Sequence, residues 1–286
     1  MSARSDLEST DGQLIPKLNE MPARVLEVRD LKKVHIRRLG RETEEMTVFE
    51  NLTFEVNEGE LVTIVGPSGV GKSTLLNIIA DMESYEGGEV IITGHRVSSS
   101  RPDTILVFQE DALFPWLTVA ENIAFGLRAG GMDKQKSLVV ASDYLELVQL
   151  SRFGSSYIHQ LSGGMRQRVA IARGLAMNPR ILLMDEPFGA LDHGTREKLQ
   201  KQLEEIHIKT GKTTLLVTHD VREALTLGDR VILMSGRPAR IKQQYIVDLP
   251  RPRSPDDPRL LGLTRQIILD LKAEEPEGIE DELADN

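Results

Sequence analysis

Residues 66–73 read Gly66-Pro67-Ser68-Gly69-Val70-Gly71-Lys72-Ser73, a spacing of glycines, a lysine and a hydroxyl that suits the cradling of a phosphate chain. The glycines let the backbone wrap so that successive N–H groups face anionic oxygens. A helical stretch from Ser73 to Ala80 would add the partial positive charge of its N-terminus. Lys72 would reach the β- and γ-phosphates of a nucleotide, the Ser73 hydroxyl would ligate Mg2+, and Thr74 would touch an inner phosphate. A chance glycine-rich turn would lack the apolar strand (residues 61–65) before it and the helix after it. Further on, Ile181-Leu182-Leu183-Met184-Asp185-Glu186 is an apolar strand ending in two acids. A strand this apolar belongs inside a sheet, so its carboxylates emerge at the C-terminal edge, where α/β folds bind ligands. There Asp185 would hold Mg2+, directly or through water, and Glu186 would orient and polarise an attacking water. In Leu161-Ser162-Gly163-Gly164-Met165-Arg166-Gln167 a serine can cap a helix while two glycines allow close approach, making a second anion-binding terminus. One chain needs one such terminus per γ-phosphate, so this one suits the nucleotide of another copy.

With these segments in this order, the chain resembles the ATPase subunits of ABC transporters over roughly residues 25–248. Under that resemblance residues 161–167 are the signature, with Ser162, Gly163, Gly164 and Gln167 facing a partner's nucleotide. Gln109, after the apolar run 105–108, matches the Q-loop glutamine, which touches Mg2+ or water and senses the transmembrane partner. Ala190-Leu191-Asp192 resembles the D-loop, and His219 in Val217-Thr218-His219-Asp220 matches the switch histidine. The resemblance implies ATP and Mg2+ as ligands, with Lys72, Gln109, Glu186 and His219 doing the chemistry. It also implies a head-to-tail dimer that closes on two ATPs and reopens on hydrolysis, rocking transmembrane permease subunits. Each residue also has a plainer reading: His219 could cap the following helix, and Asp192 the one after it. The family's adenine-stacking aromatic falls here on His35, whose smaller ring stacks more weakly.

Phe114 and Trp116, in the stretch that follows Gln109, either anchor a helical insertion in the core or wall a groove for a helix of a membrane subunit. Together with the Leu249-Pro250-Arg251-Pro252-Arg253 ending, this stretch is similar to the nitrate/sulfonate/taurine branch of importers. That branch implies separate permeases, an external substrate-binding protein, and a peripheral place on the cytoplasmic face of the membrane. A lipid- or lipoprotein-handling or export subunit would share every catalytic motif. A DNA-repair ATPase would need a long coiled-coil insertion, and a translation-type member two cassettes.

The elements that must position these groups follow from the apolar pattern. Continuous β-branched runs at 61–65, 90–92, 105–108, 181–184, 215–217 and 231–233 read as buried strands of a mostly parallel sheet. Helical stretches lie between them, as at 195–210, ended by Gly211. The expected fold is α/β: a P-loop NTPase core with, from the resemblance, an antiparallel β subdomain and a helical subdomain at about 110–177. Residues 37–45 read as a charged loop, 249–258 as a proline-rich spacer, and 260–272 as a short helix. Residues 1–24 and the acidic end read as disordered. That end, residues 274–286, carries seven acids and no base, and without it the net charge of −9 falls to −2. A near-neutral body argues against a nucleic-acid partner, and the chain has no cysteine for disulfides or thiolate metal sites.

Overall fold

The computed structural model describes residues 23–39, 42–97, 103–110 and 112–273. Most of the expected disordered N-terminal stretch, and the acidic tail, lie outside the described residues. In chain order the elements are β1 (Arg24–Leu39), β2 (Glu42–Asn57), β3 (Leu61–Val65), α1 (Lys72–Ile79), β4 (Gly87–Ile92), β5 (His95–Arg96) and β6 (Thr104–Val107). Then come α2 (Val119–Ala129), α3 (Lys134–Leu147), α4 (Gly163–Ala176), β7 (Ile181–Asp185), α5 (His193–Thr210) and β8 (Thr213–Thr218). The chain continues through α6 (Val221–Leu227), β9 (Arg230–Ser235), β10 (Arg240–Ile246) and α7 (Pro258–Lys272).

The larger sheet has the order β10-β9-β3-β8-β7-β6 and is parallel except at β10, which joins its edge antiparallel. Both of its faces are covered, which explains the unbroken apolar runs. On β7, Ile181 and Leu183 point into a cluster shared with α1 and the smaller sheet, while Leu182 and Met184 point into one shared with α2 to α5. The smaller sheet, β2-β1-β4-β5, is antiparallel. Between β6 and β7 the chain is helical, as α2, α3 and α4 with two short 3-10 turns at Ser151–Phe153 and Ile158–Gln160. The α/β class with an antiparallel sheet and a helical part is as expected.

Two regions differ from expectation. Residues 37–45 are not a loop: β1 and β2 pair as a long antiparallel ladder, with Arg37 opposite Glu44 and Leu39 opposite Glu42; residues 40 and 41 lie outside the described set. Charge describes side chains, whereas the neighbouring strand satisfies the backbone and allows an exposed ribbon. Nor is the 249–258 stretch a free spacer. The Arg253 side chain is buried and donates to the carbonyls of Val247 (3.0 Å), Leu249 (3.1 Å) and Gly228, and to Asp229 (3.3 Å). Arg251 reaches Asp229 at 2.6 Å and Glu204 of α5 at 3.4 Å. The two guanidiniums rivet this segment to the base of the core.

Candidate active site

Strand β3 delivers the 66–71 loop into α1, whose N-cap is Gly71 at φ 104. A side chain there would be strained, and its Cβ would lie 2.7 Å from Val48 Cγ1. The first turn of α1 contains no acid and no side-chain cap, so its N–H groups stay suited to an anion. Lys72 is buried, its Nζ donating to the carbonyls of Gly66 (2.8 Å) and Pro67 (2.9 Å). Burial lowers its pKa, opposed by Glu186 and Asp185. The Ser73 hydroxyl donates to Asp185 Oδ1 at 3.0 Å. Burial pushes the Asp185 carboxyl up, and the Ser73 bond holds it back. These two hard oxygen donors suit a Mg2+ ion that keeps water and phosphate in most of its shell. Among the described residues no cluster of three or more His, Asp or Glu could hold a metal.

At the end of β7 the backbone turns sharply. Glu186 has φ 41, unusual for a residue with a Cβ, and its N–H donates to Val217 of the neighbouring β8 at 2.9 Å. Its carboxylate Oε2 lies 2.9 Å from His219 Nδ1. His219 does not cap α6: Asp220 does, accepting from the N–H groups of Arg222 (2.8 Å) and Glu223 (3.1 Å). The imidazole is thereby left for Glu186. A Cβ on Gly189 would lie 3.2 Å from Gln109 Nε2 and 3.5 Å from Glu186 Oε2, so amide and carboxylate stand over the same glycine.

A cleft of about 210 Å3 joins these groups: Ser68, Gly69 and Lys72 to Thr74 form its floor, Glu186 one end, and His35, Met46 and Val48 of the β1–β2 ribbon a wall. His35 Nε2 sits 3.0 Å from Glu83 Oε1, which fixes the ring's direction. Met46, Val48 and Glu83 escaped the sequence reading, since a methionine, a valine and a glutamate carry no motif. Pro67 contributes its carbonyl to Lys72, and Val70 is buried beneath the loop.

Other expected residues stand apart from this cleft. Ser162 caps α4 by accepting from Met165 N–H at 3.3 Å, and with Gly164 it lines a separate cavity of about 440 Å3 between α4 and α5. Gly164 permits that helix approach, since a Cβ there would lie 2.6 Å from Thr195 Cγ2. Gln167 is buried, its amide nitrogen without a hydrogen-bond partner. Asp192 caps α5 by accepting from Thr195 N–H at 3.0 Å, and its hydrogen bonds with the Thr195 side chain and backbone lower its pKa. One copy thus carries the 66–73 loop and the Ser162–Gly164 turn in different places.

Beside Gln109 an aromatic group is on display. Trp116 is 70% exposed, which rules it out as a core anchor, and half-buried Phe114 packs with tilted rings against it (5.5 Å) and against Phe125 (4.4 Å). Asn122, wholly buried, fixes the loop: its Oδ1 accepts from Phe114 N–H at 2.8 Å, and its Nδ2 faces the carbonyls of Phe114, Leu117 and Thr118.

The chain has relatives among known proteins. Residues 49–189 match the ABC transporter family. The chain is 45% identical to an ABC transporter ATP-binding protein of Methanocaldococcus jannaschii, over 79% of this chain and 84% of that one. It is 42% identical to a nitrate import ATP-binding protein of Synechocystis (79% and 83%) and 43% to an aliphatic sulfonates import ATP-binding protein of Bacillus cereus (80% and 90%). A solved dimeric ATP-binding cassette in a post-hydrolysis state, bound to ADP and Pi, superposes with a TM-score of 0.66 at 34% identity, covering 79% of this chain and all of that one.

Proposed function

Because the chain belongs to the ABC transporter family, we propose that it is the ATP-hydrolysing subunit of an importer for a small anion such as nitrate, a sulfonate or taurine. The enzyme converts ATP and water to ADP and phosphate, coupled to transport. The observation that carries the site assignment is the Glu186–His219 contact of 2.9 Å beside the phosphate cradle. ATP lies in the cleft with His35 against its base, its phosphates on the N–H groups of residues 66–74, and Lys72 exchanging loop carbonyls for phosphate oxygens. Ser73, Asp185 and Gln109 would hold a Mg2+ ion, which when bound would supply charge neutralisation to the phosphates. Glu186 orients water in line with the terminal phosphate and takes its proton, and His219 steadies the glutamate.

The separation of cradle and signature turn supports a head-to-tail dimer, in which Ser162, Gly163, Gly164, Gln167 and Asp192 of one copy close over the ATP of the other. Residues 25–248 form the ATPase domain and about 110–177 its helical subdomain. The Phe114–Trp116–Phe125 surface receives a helix of a separate permease, which a substrate-binding protein serves from outside. The subunit sits at the cytoplasmic face of the membrane. Among the described residues no helix is long and apolar enough to cross it.

Glu186→Gln tests this reading. ATP binding is expected to persist, turnover to fall by roughly two to four orders of magnitude, and light scattering to register an ATP-bound dimer. Brisk hydrolysis by this variant would remove Glu186 from its role.

A further inference from the structure

Behind the Glu186–His219 pair lies a carboxyl group that the mechanism above does not use. Glu223 of α6 is 4% exposed. Its Oε2 accepts from Gln200 Nε2 of α5 at 2.9 Å, and the Thr218 side chain is also bonded to it. A cavity of about 10 Å3, close to the room one water needs, is lined by Glu186, His219, Thr218 and Glu223, with Arg196 and Asp220 also in its wall. A buried acid therefore shares one water-sized chamber with the pair assigned to hydrolysis.

Hydrolysis leaves a proton that must be cleared. The water oxygen bonds to the terminal phosphorus, the bond from phosphorus to the bridging oxygen breaks, and its electron pair stays on ADP. The water proton passes to Glu186. We propose that Glu223 receives this proton through His219 and one water in the chamber, restoring the basic form of Glu186, and then releases it to solvent. The inference rests on the roles given above to Glu186 and His219. Glu223 touches no reacting atom and is a positioning residue for the proton.

The surroundings suit that task. The charged groups that act on Glu223 are Asp220 at the start of its own helix and Arg196 from α5, themselves paired at 3.8 Å. Burial outweighs both and pushes its pKa up to about 7. At neutral pH the group can both accept and release a proton.

The test compares parent, Glu223→Gln and Glu223→Asp in the full chain, with kcat and KM for ATP measured across neutral pH and thermal unfolding as a check of fold. The parent kcat is expected to rise with pH through about 7. The Gln variant is expected to lose that rise and about tenfold in kcat with KM unchanged, while Asp recovers part of the rate. A Gln variant with the parent's kcat and pH profile overturns the relay. If the Gln variant does not fold, the Asp variant decides: a displaced limb supports the relay and an unmoved one overturns it. Glu186→Gln runs alongside. If it is inactive while Glu223→Gln behaves as parent, only the relay falls; if it turns over briskly, the site assignment falls with it.

Discussion

Replacing Glu223 by Gln has a consequence that can be measured without nucleotide, in the pH dependence of folding. A glutamate carboxyl ordinarily titrates near 4.5, and burial raises this one to about 7. The native state therefore binds the proton more tightly than the unfolded chain. Below the ordinary value both states are protonated and the group adds no pH dependence. As pH rises through the interval, the unfolded chain ionises first and stability falls; above about 7 both states are ionised and the loss is constant. A rise of this size corresponds to on the order of 3 kcal/mol, a large share of the roughly 5–15 kcal/mol that holds a typical domain together. Glutamine cannot ionise and can still accept from Gln200. Urea unfolding at a series of pH values should give matching stabilities in acid and a variant about 3 kcal/mol more stable above neutrality. Parallel curves would refute the reasoning, because every other titrating group is common to both proteins.

Lys72→Ala removes a buried ammonium from the phosphate cradle, and ATP affinity measured by calorimetry should drop roughly tenfold to a hundredfold; unchanged affinity would count against the cradle. Trp116→Ala, at an exposed position, should change stability by no more than about 0.5 kcal/mol and leave basal ATPase alone, yet reduce transport in reconstituted vesicles. Full transport would remove the tryptophan from the permease surface. Arg253→Ala leaves the carbonyls of Val247, Leu249 and Gly228 without its guanidinium while Asp229 keeps Arg251, and denaturant titration should register a loss of about 1–3 kcal/mol; no measurable loss would mean the C-terminal rivet bears little load.

The parallel core was legible because strands such as β7 are buried on both faces and leave an unbroken apolar run. The 66–73 loop and the acidic end of β7 could be located because their chemistry demands particular residues at set spacings. What escaped notice had no such signal. Strand β10 alternates polar groups at an edge, with Tyr245 buried and Ile246 exposed, so its pattern is diluted. Residues 37–45 looked like a loop because charge carries no record of backbone pairing, which here sets Arg37 opposite Glu44 and Leu39 opposite Glu42. Asn122 and Glu223 sit in the opening turns of α2 and α6, where an amide or an acid ordinarily faces water, and only tertiary packing buries them. Arg251 and Arg253 sat among prolines that read as a spacer, and their acceptors, Glu204 and Asp229, belong to distant segments. His219 and Asp192 could each have been a cap; the backbone settled the matter differently for the two.

The left-handed turn at Glu186 sets durability against activity at a single dihedral. A residue with a Cβ holds that conformation at a cost of roughly 1–2 kcal/mol, and asparagine tolerates it better. A laboratory search for heat-resistant variants would accordingly drift toward Asn at this position and harvest sturdy, inert protein. Libraries meant to keep the motor running should leave residue 186 untouched and seek robustness elsewhere.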